Sequence, residues 1–287
     1  MKEMIRKLSR KTIKTKSGFT LIEFSMALAV LSVLLIIILQ ISNNTIAIYQ
    51  KGLATKAVST AGRDLLDEFT RAISSSPTNS LEGFCNRINS DTAKNACKKD
   101  PAKQLEVVYR KATEKINGQD VPVYGMFCTG KYSYFWNSGY KLKINNDGGD
   151  SGQKVIINGK EFPENSKTSP RLLRMEDTQR ELCVNNINNN TFSVSQAQKE
   201  TPVDLLQNSQ DLQLAMYDFT IFPVSQNDTI SRIFYSGTFV LGTLTGDINI
   251  TSSSDYCKSE NYRASVASDF SYCAINKFNF AAQAIGE

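Results

Sequence analysis

The sequence predicts an α+β protein in which one long N-terminal helix precedes a mainly antiparallel β-sheet domain. An almost wholly apolar run from Phe19 to Leu39 continues into apolar residues at three- and four-residue intervals, the period of a helix. Beyond Pro77, short runs of alternating apolar and polar residues are separated by turn-forming residues, which is typical of strands. The predicted organisation is therefore a basic leader at 1–18, a helix at 19–75 and a β-rich extracytoplasmic domain at 76–287.

The apolar run is long enough to cross a membrane as a helix, for which about 20 apolar residues suffice. It exceeds the apolar core of a secretory signal, roughly 7–15 residues, and no small-residue cleavage site follows Gln40. The segment before it has Glu3 as its only acid, and its positive residues are Lys2, Arg6, Lys7, Arg10, Lys11, Lys14 and Lys16. By the positive-inside rule, the N-terminus is cytoplasmic and the chain after Gln40 is outside.

Glu23 is the one ionisable residue between Phe19 and Leu39. An unpaired carboxylate in hydrocarbon costs about 3 kcal/mol or more on insertion scales. We therefore expect Glu23 to have a partner.

The residues around it, Ser17-Gly18-Phe19-Thr20-Leu21-Ile22-Glu23, resemble the class III signal of type IV pilins and pseudopilins. In that family a membrane aspartic peptidase cleaves after the glycine, and the new amino terminus is usually N-methylated. The resemblance implies cleavage between Gly18 and Phe19, methylation of Phe19, and pairing of its ammonium group with Glu23 of the same or a neighbouring subunit. It covers about residues 16–73 and implies a pilin-like fold, although the Gly and Pro that many major pilins carry early in this helix are missing here.

The same resemblance implies a structural function, that of a minor type IV pilin or pseudopilin. Prepilin peptidase/methylase would process the chain, which would then enter a filament as a structural, assembly-priming or tip component. Its partners would be other pilin or pseudopilin subunits and an inner-membrane assembly platform, in a motility, type II secretion or DNA-uptake system. The protein would be a single-pass membrane protein first, and part of a filament at the cell surface or in the periplasm afterwards.

Two alternatives stay open. The domain after the helix is an adhesin or receptor-binding domain for a surface ligand, with the filament as its carrier. Alternatively, the chain is a signal-anchored surface protein that does not polymerise.

Charge and composition argue against several other functions. The chain of 287 residues has a formal net charge of +5, and the leader carries this excess, so general nucleic-acid binding is not expected. There is no histidine, which excludes a Ser-His-Asp or Cys-His catalytic site. No glycine-rich phosphate loop or dinucleotide-binding motif is present. We expect no enzymatic activity and no cofactor.

The six cysteines all lie on the predicted exterior side: Cys85, Cys97, Cys128, Cys183, Cys257 and Cys273. Disulfides persist in such oxidising compartments, and an even number suits full pairing. Proximity in the sequence favours Cys85–Cys97 and Cys257–Cys273, which leaves Cys128–Cys183. A zinc site is the alternative, but the absence of histidine and of a CxxC spacing argues against it.

The extramembrane part of the helix is predicted to bury one apolar stripe under the sheet; a coiled coil is the alternative, but the stripe covers few heptads. The predicted buried residues are Ile46, Tyr49, Leu53, Ala57, Ala61, Leu65, Phe69 and Ile73. The predicted strands are Leu105–Arg110, Val121–Cys128, Tyr132–Trp136, Tyr140–Ile144, Lys154–Ile157, Arg171–Met175, Leu212–Phe222, Ile230–Val240 and Ser271–Ala282. Gln196–Gln210 is predicted to be a short helix or an exposed excursion.

Two local clusters have both a binding interpretation and a structural one. The first is a possible sugar- or partner-binding platform that is more simply explained as core, and its residues are Tyr132, Tyr134, Phe135, Trp136 and Tyr140. The second is the loop Asn145–Gly152, which superficially resembles a calcium loop. Gly149 takes a ligand position there and no glutamate closes the loop, so a turn is favoured.

Overall fold

The structure of the protein is a computed structural model. It describes residues 20–76, 91–92, 95, 107–116, 119–142, 151–157, 160–162, 168–177, 182–183, 193–194, 202–206, 213–225, 233–244, 248–249, 256–257 and 273–284. The chain divides into two compact units, Met1–Ala47 and Ile48–Glu287. The predicted class is confirmed at the level of one long apolar N-terminal helix followed by antiparallel sheets.

Helix α1 (Leu21–Ser74) has 54 residues and belongs to the first unit up to Ala47 and to the second unit from Ile48. Its last turn carries Arg71, a cation that suits the negative end of the helix dipole. The helix ends shortly before Pro77, as the sequence predicts, because proline disfavours helical geometry in the residue before it.

The strands of the second unit form two main sheets and two small ones. They are β1 (Val108–Ile116), β2 (Gln119–Cys128), β3 (Tyr132–Asn137), β4 (Val155–Ile157), β5 (Lys160–Phe162), β6 (Leu172–Glu176), β7 (Ser193–Val194), β8 (Val203–Asp204), β9 (Leu214–Ser225), β10 (Ile233–Thr243), β11 (Ile248–Asn249), β12 (Tyr256–Cys257) and β13 (Ile275–Ala284). The larger main sheet is antiparallel with the order β1-β2-β3-β6-β8, and the other has the order β13-β10-β9. The small sheets are β5-β4-β7 and β11-β12.

The core of the second unit forms where both main sheets pack against the second half of α1. Phe69 lies at its centre and is fully buried. Its ring makes edge-to-face contacts with Phe127, Tyr134, Phe219 and Phe239, at centroid distances of 5.0, 5.6, 5.6 and 5.5 Å. Two of these rings come from each main sheet, so one helical side chain ties the two sheets to α1.

The buried face of α1 differs from the predicted stripe. Leu65, Phe69 and Ile73 are buried as expected, but Ile46, Tyr49 and Leu53 are exposed. The positions that face the sheets before Leu65 are instead small or β-branched residues, namely Ala54, Val58 and Gly62. Small residues let the helix backbone approach the aromatic rings of the sheet closely, so the most apolar residues are not the buried ones here.

Gly62 shows how close this approach is. A Cβ atom on Gly62 would overlap Cζ of Phe278, a ring carbon on β13. Because no side chain fits there, glycine allows β13 to pack directly on the helix backbone.

The predictions for residues 140–144 and 196–210 are corrected by the structure. Residues 140–142 of the predicted strand Tyr140–Ile144 form a turn, in which the N–H groups of Lys141 and Leu142 donate to the carbonyl of Ser138 at 2.8 and 3.2 Å. The predicted helix or excursion at Gln196–Gln210 contains strand β8, and Leu206 is buried. The backbone of β8 adds to the edge of the sheet, so a polar composition does not exclude pairing.

Candidate functional site at the start of the membrane helix

Thr20 and Glu23 build the start of α1. Thr20 is the residue before the first helical turn, and its carbonyl accepts the N–H of Phe24 at 3.1 Å. The Thr20 backbone N–H donates to Oε2 of Glu23 at 2.9 Å, and the Glu23 N–H donates to Oγ1 of Thr20 at 3.3 Å. This reciprocal pair is a capping box, in which each side chain satisfies a backbone donor of the other residue.

The capping box changes the interpretation of Glu23. We expected this carboxylate to need a partner, and the chain itself supplies one in Thr20. An acid in the first turn is also favoured by the positive end of the helix dipole. Oε2 accepts the Thr20 N–H, and Oε1 accepts no hydrogen bond within the part of the chain that the structure describes.

Sequence reasoning missed the role of Thr20, although its signal is in the chain. Threonine followed three residues later by glutamate, directly before an apolar run, is the sequence signature of a capping box. Gly18 and Phe19, the predicted cleavage residues, lie outside the described residues.

The first half of α1 has the properties of a membrane span. Among the described residues, α1 is the one helix that is long and apolar enough to cross a membrane. Its apolar side chains from Leu21 to Ile46 are exposed. The hydroxyls of Ser25 and Ser32 donate to the carbonyls of Ile22 and Ala29 at 2.9 and 2.8 Å. These two hydroxyls are thus satisfied inside the helix, as an apolar solvent requires.

A polar cluster joins the second half of α1 to the larger main sheet. Glu68 Oε1 accepts the hydroxyl of Tyr134 at 2.7 Å and Nη1 of Arg174 at 3.0 Å. Burial raises the pKa of Tyr134, and the neighbouring charge of Glu68 raises it further. The guanidinium of Arg174 also lies over the ring of Tyr132, 5.2 Å from its centroid. The helix is therefore held to this sheet by a charge-assisted contact in addition to apolar packing.

One predicted disulfide is present in the described residues, between Cys128 at the end of β2 and Cys183. Beside it, Asp177 accepts hydrogen bonds from the hydroxyl of Ser133 at 2.7 Å and from the N–H groups of Leu182 and Cys183 at 3.2 and 2.9 Å. These contacts and the disulfide attach residues 182–183 to the sheet.

The structure describes only part of the other predicted cysteine pairs. Cys273 is bonded in a disulfide. Cys85, Cys97 and the side chain of Cys257 lie outside the described residues.

The two candidate binding clusters differ in outcome. Tyr134, Phe135 and Trp136 are buried, which confirms that they belong to the core and excludes them from a surface platform. Tyr132 and Tyr140 are half-buried. Most of the loop Asn145–Gly152 lies outside the described residues. Within the described part of the chain, no three metal-ligating His, Cys, Asp or Glu side chains come together.

In comparisons with known proteins, the chain matches no family model, no curated protein and no solved structure.

Proposed function

We propose that this chain is a minor type IV pilin or pseudopilin-like subunit that is cut between Gly18 and Phe19 and built into a filament. The single observation that carries the proposal is the spacing of Gly18, Phe19 and Glu23 at the head of an exposed apolar helix. Prepilin peptidase/methylase would process the N-terminus from the cytoplasmic side. Other pilin-like subunits and an inner-membrane assembly platform would be its partners, and its function would be structural rather than enzymatic.

The position of the Glu23 carboxylate supports this proposal. Cleavage after Gly18 creates an ammonium group at Phe19, one residue before the capping threonine. The Glu23 side chain already reaches back to the Thr20 N–H, so its carboxylate is at the N-terminal end of the helix. Oε2 serves the cap, while Oε1 is left for the ammonium of the same or a neighbouring subunit.

The capping box favours a second candidate, a signal-anchored surface protein that does not polymerise. In that function Glu23 would only start the helix, and Thr20 would be its complete explanation. The two candidates differ in whether the negative charge of Glu23 is needed, because a capping box accepts either glutamate or glutamine.

The first experiment is the intact mass of the protein isolated from its native cell envelope. The proposal expects a chain that begins at Phe19. Gly18→Val should retain the leader and stay out of filaments, whereas the neighbouring change Ser17→Val should be processed normally. A wild-type protein that begins only at Met1 contradicts the proposal.

The second experiment separates charge from capping. Glu23→Gln keeps an oxygen that accepts the Thr20 N–H but removes the charge, and Thr20→Val keeps the charge but removes the hydroxyl. A charge-assisted hydrogen bond contributes about 1.5–3 kcal/mol, so Glu23→Gln should lower filament incorporation roughly 10- to 100-fold. Thr20→Val should lower it less, and Thr20→Ser should behave as wild type.

The outcome that favours the anchor is the reverse order. Normal incorporation or surface display of Glu23→Gln, together with reduced levels of Thr20→Val in the membrane, would assign Glu23 to helix capping alone. Immunoblots of sheared filaments and of membranes, normalised to total protein, measure both quantities.

A further inference from the structure

Strand β13 forms one edge of the three-stranded sheet. It pairs with β10 from Ile233↔Ala284 to Gly242↔Ile275 without a register shift. Its inner face carries Phe278 and Phe280, which belong to the core. Such a long and regular edge presents a row of backbone hydrogen-bonding groups along its outer side.

One hydrogen bond shows in which direction the backbone N–H and C=O groups of β13 point. The N–H of Lys277 donates to Oδ1 of its neighbour Asn276 at 2.9 Å, so it points away from β10. In an antiparallel ladder, successive residues point their backbone groups alternately toward and away from the partner strand. The backbone groups of Asn279, Ala281 and Gln283 therefore also point outward.

Three of these four outward positions have no hydrogen-bond partner among the described residues. Within the described residues, nothing forms a hydrogen bond with the outward groups of Asn279, Ala281 and Gln283. The side chains of Asn279 and Ala281 are exposed to solvent. In the described part of the chain, a side chain caps this edge at its start, where Oδ1 of Asn276 accepts the Lys277 N–H.

The other described edges of the main sheets are interrupted. Strand β1 has a register shift between Ala112 and Thr113. Strand β9 has two register shifts, and its Phe219 N–H donates to Oδ1 of Asp218 at 2.8 Å. Strand β8 is only two residues long. Bulges, side-chain caps and short strands are the usual means by which proteins prevent edge pairing.

We propose that the outer edge of β13, from Lys277 to Gln283, binds an extended segment of another protein, which adds to the sheet as a further strand. Unsatisfied N–H and C=O groups in alternation are matched by the backbone of an extended peptide. Side chains of that segment on the inner side would lie beside Phe278 and Phe280, so apolar residues suit those positions. The ammonium of Lys277 suits an acidic residue of the segment.

A second copy of β13 is the less suitable occupant. Strand β13 reads INKFNFAAQA and contains no acidic residue. Pairing two copies through this edge would therefore leave both Lys277 side chains without a carboxylate. The charge at the edge favours a different, acidic strand, and this site is independent of whether the chain forms filaments.

The test uses proline at an outward position. Ala281→Pro removes an outward N–H that β10 does not use, so the ladder with β10 is kept while an added strand loses a donor. Ala281→Val keeps the N–H and is the matched control. Both variants are made in the full chain in its native cells, with a photo-crosslinking amino acid at Asn279.

We expect the crosslinker at Asn279 to label one extended, acidic segment of one other protein, identified by peptide sequencing. The yield should fall about ten-fold in Ala281→Pro, since a lost backbone hydrogen bond and its strain are worth roughly 1.4 kcal/mol, and remain unchanged in Ala281→Val. A crosslinker at Thr220, on the same sheet but away from this edge, should not give the product.

Several outcomes overturn the proposal: no product at Asn279, a product from β13 of a second copy, equal labelling from Thr220, or a yield that Ala281→Pro leaves unchanged. If Ala281→Pro lowers the thermal stability of the domain, Lys277→Glu replaces it, with Lys277→Arg as its control. Lys277→Glu should lower the yield of the crosslinked product about ten-fold by repelling the acidic segment. Equal yields from Lys277→Glu and Lys277→Arg would refute the proposal.

Discussion

The two halves of α1 place similar side chains in opposite environments. Phe24, in the first half, is 58% exposed, whereas Phe69, in the second half, is fully buried among the rings of two sheets. The first half is a continuous apolar surface, and the second half buries a face that includes Ala54 and Gly62. The partner of a helix, and not the apolarity of its residues, therefore determines which face is buried.

The largest expected effect comes from removing the central ring of the buried half. Phe69→Ala deletes four edge-to-face contacts and leaves a cavity, so it should lower the free energy of unfolding by about 3–5 kcal/mol. Phe24→Ala is the matched control and should leave the unfolding of the domain unchanged. Denaturant titration of the protein in detergent, followed by near-ultraviolet circular dichroism, measures both. Equal losses in the two variants would contradict the comparison.

Replacing two glycines of helix α1, Gly62 and Gly52, with alanine should have effects of opposite sign on stability. Gly62→Ala places a Cβ against the ring of Phe278 and should cost about 1–3 kcal/mol through overpacking. Gly52→Ala meets no atom within 4 Å and should stabilise the helix by about 0.5–1 kcal/mol. The shift in thermal unfolding temperature reports the sign directly. Gly62→Ala with unchanged stability would show that α1 and β13 are further apart than described.

The smallest expected effect concerns the polar contact between Glu68 and the sheet. Tyr134→Phe removes the hydroxyl that donates to Glu68 and should cost about 1 kcal/mol at neutral pH. Tyr49→Phe, at an exposed position on the same helix, should cost nothing measurable.

The same contact has a signature at high pH. Burial raises the pKa of Tyr134 in the folded protein. The contribution of Tyr134 to the stability of the fold is therefore complete below the pKa of an unfolded tyrosine, about 10, and declines as the pH rises above that value. Wild-type stability should therefore fall more steeply than that of Tyr134→Phe above about pH 10, by up to about 1.4 kcal/mol per pH unit. Parallel pH profiles of the two proteins would rule out this contribution of Tyr134.

Much of the fold follows from local sequence signals. The apolar run, the proline at 77 and the alternating strands predict one helix followed by antiparallel sheets. Residues 117–118 are Asn-Gly, a strong hairpin signal between the ends of β1 and β2, where Ile116 pairs with Gln119. The predicted strand Leu105–Arg110 leaves that signal unused and ends at Arg110, whereas β1 continues to Ile116.

The buried face of α1 was harder to predict because it depends on the sheet. The spacing of large apolar residues predicts that Ile46, Tyr49 and Leu53 are buried, but nothing in the described chain covers them. Gly62 has a role only because the ring of Phe278, more than two hundred residues later in the chain, packs on it. Such a contact has no local sequence signal. By contrast, the capping box of Thr20 and Glu23 is local and has a sequence signal in their spacing, although it was not predicted.

Asp177 helps to position both cysteines of the Cys128–Cys183 disulfide. Ser133 pairs directly with Cys128 across β2 and β3, and Asp177 binds both the Ser133 hydroxyl and the backbone of Cys183. Ordinary hydrogen bonds thus bring the two sulfur atoms together, although 55 positions separate them along the chain. These hydrogen bonds hold the chain at both cysteines in place without relying on the bond between their sulfur atoms.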